Sequence, residues 1–138
     1  MEQLQRIKDL LLGFPQWGDQ PLSVDQREAM PQRCSLFPLG VQVIACREDV
    51  LGNQVLRLRQ SFLLRRQAFA GESAAQWLLQ LQNWLLCQNM EALTPCFGSR
   101  LRLWAEKGQL TNAKQPGTGI YEVKIHAEYE KEQEYGKN

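Results

Sequence analysis

The stretch Gln54–Gln67, QVLRLRQSFLLRRQ, narrows what this chain can become more than any other. With a period of two it puts Leu56, Leu58, Phe62 and Leu64 on one face and Arg57, Arg59, Ser61, Arg65 and Gln67 on the other. A half-buried antiparallel strand requires that alternation, because successive side chains point to opposite sides of a sheet. At roughly twice the common strand length, it is expected to cross a sheet and protrude beyond it.

The neighbouring segments supply the rest of an α+β domain. Before it, residues 41–47 read as a second strand, apolar at Val41, Val43 and Ala45 on one side and Ile44 and Cys46 on the other, and so more buried than its neighbour. EDVLGN, with Gly52 and Asn53 able to take positive φ, closes the two into an antiparallel hairpin. After it, Ala74, Trp77, Leu78, Leu81, Trp84, Leu85 and Gln88 follow a 3.6-residue period behind the opening Gly71, Glu72 and Ser73, with Gln76, Gln80 and Asn83 on the wet side. A short amphipathic helix over 2–12, carried by Leu4, Ile7, Leu10 and Leu11, stops at Gly13 and Pro15. Residues 25–38 read as irregular connection, with a brief strand at Leu22–Val24 and a second option that residues 34–36 pair with a sheet edge. Leu101, Leu103 and Ala105 alternate with Arg100, Arg102 and Trp104 in another strand, and residues 107–119, rich in glycine, form a long loop. Residues 120–131 close the sheet, with Tyr121, Val123, Ile125, Ala127 and Tyr129 inward and Glu122, Lys124, His126, Glu128 and Glu130 outward. The expected fold is one domain over 1–131, a mostly antiparallel sheet packed on two amphipathic helices, followed by a polar frayed tail over 132–138.

Composition removes several function classes. Sixteen Lys and Arg against fifteen Asp and Glu leave a net charge of +1, so charge balance points to neither nucleic acid nor membrane. Cys34, Cys46, Cys87 and Cys96 form no CxxC and have no close histidine, which disfavours zinc or a redox pair and suits thiols in a reducing cytoplasm. The first residues lack a signal-peptide pattern, and no apolar run reaches a membrane span. His126, the single histidine, has no nucleophile elbow, HExxH or paired-carboxylate motif around it and reads as a surface residue. GTG at 117–119 leads into a strand, where a phosphate loop needs a helix. No cofactor, metal or catalytic residue is expected.

Two charge patterns stand out. Arg57, Arg59 and Arg65 on one long strand oppose Glu122, Glu128 and Glu130 on the other. They pair within one sheet if the strands are neighbours, or fix register between subunits if they are not. Arg65, Arg66, Arg100, Arg102, Lys107 and Lys114 are a candidate basic rim, able to hold phosphate without reading sequence. An arginine-rich nucleic-acid adaptor and a small enzyme centred on His126 are therefore the alternatives from other classes.

EDVLGNQVLRLRQSFLLRRQAF, SAAQWLLQLQNWLLCQN and AEKGQLTNAKQPGTGIYEVKIHAEYEK, read in order, bring together a GN turn, a long F-L-L strand, a W-L-x-x-L-Q-x-W helix, an A-x-x-G-x-L strand-loop and a G-x-Y-x-V strand. This order over roughly 48–131 resembles the small tail-terminator, or tail-completion, proteins of long-tailed phages and Firmicutes prophages, often labelled minor capsid proteins. The resemblance implies an α+β domain that assembles with copies of itself into a hexameric ring, caps the tail tube protein, ends its polymerisation and meets the head-tail connector protein. It implies a virion tail location after assembly in the host cytoplasm, no membrane, and DNA only as it passes through the lumen. Subunit-interface or lumen contacts would fall on the long arginine strand and the glycine-rich loop, with Arg57, Arg59, Arg65, Arg66, Lys107, Lys114, Glu122 and Glu128 as candidates. Another tail, neck or baseplate component is the alternative within the same class.

Overall fold

A computed structural model describes residues 2–18, 22–24, 34–67, 74–106, 108–111 and 120–133. The elements run α1 (Glu2–Leu12), β1 (Leu22–Val24), β2 (Cys34–Glu48), β3 (Gln54–Gln67), α2 (Ala74–Leu86), β4 (Ser99–Ala105), β5 (Gln109–Thr111) and β6 (Ile120–Gln133). The strands form one sheet in the order β1-β2-β3-β6-β4, with β5 also on β6. All pairings are antiparallel except the short parallel contact of β1 with β2. The protein is a single-domain α+β fold.

β3 occupies the middle of this sheet, paired along its whole length with β6 from Gln54↔Gln133 to Gln67↔Ile120. That unbroken register keeps the sequence alternation in phase, so Phe62, Leu64, Val123, Ile125 and Ala127 all face the core. Onto this face α1 lays Leu4, Ile7 and Leu11, and α2 lays Trp77, Leu78, Leu81 and Leu85. Trp77 is the hub: its ring lies 5.8 Å from Phe14, 6.1 Å from Trp17 and 5.9 Å from Tyr121, and its Nε1–H donates to the Gln16 carbonyl. Satisfying that N–H is what lets a large indole sit in a closed core.

Several sequence expectations are corrected. The irregular stretch expected over 25–38 gives way at Cys34 to strand, and Cys34, Ser35 and Leu36 pair with both β1 and β3 or lie between them. Inside the long loop expected over 107–119, Gln109–Thr111 is strand on β6, while Lys107 and residues 112–119, including Lys114, lie outside the described residues. Glu132 and Gln133 belong to β6, where the frayed tail was expected to have begun.

The largest correction concerns β2. Residues 41–47, expected to be the more buried partner, are exposed, with Val41 at 56 % and Val43 at 58 %. Val41 pairs with Gln60 and Val43 with Leu58, so both valines lie on the core side of the sheet. They are wet because the covering layer stops short of the edge strand: at the same level Gln60 of β3 and Ala127 and Tyr129 of β6 are buried, and β3, paired with β6 along its whole length, does not protrude beyond the sheet as its length suggested. Register shifts at Leu39 and Ile44 mark two β-bulges in this outer half of β2.

Candidate functional site

The ribbon of β2, β3 and β6 presents two faces of different chemistry. Its outer face carries the charge ladder. Arg59 Nη2 lies 3.1 Å from Glu128 Oε2, Arg65 Nε 3.2 Å from Glu122 Oε2, and Arg57 Nη1 3.6 Å from Glu130 Oε2, while Arg57 Nε also donates to Glu128. Arg47 and Arg100 approach Glu130 from either side at 3.4 and 3.7 Å. The two long strands are neighbours in one chain, so the opposed charges meet within it. Glu128 is only 4 % exposed. Burial pushes its carboxyl up, but the hydrogen bonds and charges of Arg57 and Arg59 outweigh that and hold it below the ordinary carboxylate range.

His126 is buried, against its expected surface position. Its Nδ1 is 2.7 Å from Ser61 Oγ and its Nε2 2.7 Å from Glu106 Oε1, and the Trp104 ring covers it at 5.3 Å. The guanidinium groups of Arg59 and Arg102 each lie 5.3 Å from that same indole. A Ser–His–Glu chain is also the arrangement of a hydrolytic nucleophile. Ser61 sits mid-strand between Gly40 and His126, on the outer face of the sheet and beside the register shift at Leu39. The chain is a clasp that ties Glu106, just past β4, to the middle of the sheet, with the Trp104 ring over His126. Sequence reading missed Glu106 and Trp104; the alternation Arg102, Trp104, Glu106 was the available signal for a shared outer face.

Among the described residues the arginines of the basic rim do not come together, and Lys107 and Lys114 lie outside them. Arg66 is buried on the core face, its guanidinium 4.6 Å from the Trp77 ring. Arg65 pairs at Glu122 whereas Arg100 lies by Glu130, eight residues along β6, or roughly 26 Å of strand.

The inner face is uncovered along β2. Val41, Val43 and Cys46 are exposed there beside half-buried Leu56 and Leu58. Among the described residues nothing pairs with the outer edge of β2 over 38–48. At the ribbon's end Val50 is 101 % and Leu51 81 % exposed. On the opposite side of the domain, Gln82, Asn83 and Leu86 of α2 and Arg102, Leu103, Trp104 and Ala105 of β4 line a groove of about 510 Å³.

No protein-family model matches the chain, and no curated protein matches it significantly. Among the described residues no group of His, Cys, Asp and Glu could hold a metal ion, and no helix is long and apolar enough to cross a membrane.

Proposed function

We propose that this protein is a non-enzymatic virion assembly component, a tail terminator that caps the tail tube as a ring, stops its polymerisation and joins it to the head connector. The observation that carries this reading is the outer strand β2, which the layer that buries Gln60, Ala127 and Tyr129 beside it does not cover. It offers an unpaired strand edge over 38–48 and an uncovered apolar face at Val41 and Val43. An apolar surface of this kind on an edge strand is what a protein contact would remove from water. A ring needs contacts in which one patch meets a different patch, and the two ends of this molecule differ as that requires. The resemblance of the segments over 48–131 supplies the specific identity, with further copies of the chain, the tail tube protein and the connector as partners.

The alternative of a nucleic-acid adaptor loses its main support, because Arg57, Arg59 and Arg65 spend their charge on glutamates of the same sheet. Imaging tails assembled without this protein tests the proposal. Tubes of irregular, extended length that fail to join heads are expected, and tubes of normal, uniform length would refute it.

A further inference from the structure

We infer that the β2–β3 hairpin tip of one copy docks into the α2–β4 groove of the next, a knob-in-groove contact between two different surfaces of the same chain. The inference rests on the ring reading and specifies its subunit contact.

The tip is a built knob. Asp49 Oδ1 accepts hydrogen bonds from the backbone N–H groups of Leu51 and Asn53, each 2.9 Å long, and the Asp49 N–H donates to the Asn53 carbonyl at 2.8 Å. Gly52, at φ 86°, makes the reversal, and Asn53 Nδ2 donates to Glu132 Oε1 on β6 at 2.9 Å. These bonds hold Val50 and Leu51 outward in a fixed conformation, so docking them loses little further chain entropy. Two adjacent, wholly exposed apolar side chains on a pinned turn are a liability in water unless something covers them.

The groove matches in apolar lining and charge. Leu86 and Trp104 give it apolar walls, and exposed Arg102 stands at its margin. Glu48, exposed and next to the tip, supplies the opposite charge. The tip cannot reach its own groove. It follows β3 at Gln54, which pairs with Gln133, whereas the groove residues of β4 pair with β6 between Ile125 and Glu128. That separates the two by roughly 20 Å along the strands, with β6 in between. A second copy is therefore the occupant. Since each chain carries one knob and one groove, the contact propagates head to tail and closes into a ring when its rotation permits.

Disulfide trapping tests the contact. In chains whose Cys46, Cys87 and Cys96 are replaced by Ser, Val50→Cys and Asn83→Cys are introduced separately, and the two proteins are mixed and oxidised with diamide. The mixture is expected to give a cross-linked dimer of one chain of each kind, and the double variant a ladder of higher multimers. Leu51→Asp, at an exposed turn, should leave the thermal melt unchanged and weaken self-association by at least about 30-fold in sedimentation. Glu48→Arg should weaken it too, with recovery on adding Arg102→Glu in the neighbouring copy. Absence of the mixed cross-link, or cross-links only between like chains, overturns the contact. If the wild type still forms oligomers, the ring survives on another surface; if it stays monomeric even with tail tubes present, the ring reading falls as well.

Discussion

Replacing Glu128 by Gln keeps the size and shape of the side chain and removes its charge, leaving Arg57 and Arg59 to share one neutral acceptor. Glu128 is nearly buried while its two arginines are about one third exposed, at 31 % and 35 % of their side chains, which places the interaction between the surface and interior limits. A hydrogen bond to a charged group contributes about 1.5–3 kcal/mol and a neutral one about 1 kcal/mol. Two such bonds are weakened here, and solvent at the arginines screens part of the difference. The expected loss is about 2 kcal/mol, read by urea denaturation as a lower midpoint at unchanged slope. The pH dependence supplies a second, independent readout. Because the folded carboxyl titrates below its unfolded counterpart, its contribution is present above the unfolded value and is lost as pH falls through the folded one. Wild type should therefore lose more stability than Glu128→Gln does as pH falls through and below the ordinary carboxylate range. A change under about 0.5 kcal/mol with identical pH profiles would show that the ladder behaves as an ordinary surface network, and the reasoning would fail.

Gly98 leaves no room for a side chain, since a Cβ there would lie 2.4 Å from the Glu130 carbonyl oxygen and 2.9 Å from the Tyr129 ring. Gly98→Ala should cost about 1–3 kcal/mol in thermal or urea unfolding, and an unchanged midpoint would refute that close approach. Ser61 should stay unlabelled by a fluorophosphonate probe that modifies activated serines, and stoichiometric labelling would overturn the clasp reading of Ser61, His126 and Glu106.

Much of the fold was legible because β3 and β6 alternate over most of their length, broken in β3 at Gln60, Leu63 and Arg66, so most of their core faces, their pairing charges and the bounds of β3 follow from period two. What escaped notice depends on partners distant in sequence. Val41 and Val43 look buried because they are apolar, but whether a helix covers them is decided by where α1 and α2 end over the sheet. His126 does point outward as its position predicts, and burial comes from Trp104 and Glu106 reaching over it from β4 and beyond. Arg66 sits beside Arg65 in sequence yet on the opposite face, where the Trp77 ring offers its guanidinium a π surface. The hairpin tip was legible in EDVLGN as a turn, but nothing in those letters says that Val50 and Leu51 remain wet.

The two inserted residues in β2 have a geometric result. From Pro38 to Glu48 the outer strand spends eleven residues where its partner, from Gln54 to Phe62, spends nine. A ladder with rails of unequal contour must coil, and the longer rail takes the outside of the arc. Deleting Leu39 and Ile44 together would equalise the rails and straighten the arm, swinging its end onto a new bearing while leaving every side chain there unaltered. In the proposed ring, the angle between successive subunits would then depend on two residues of the β2 edge.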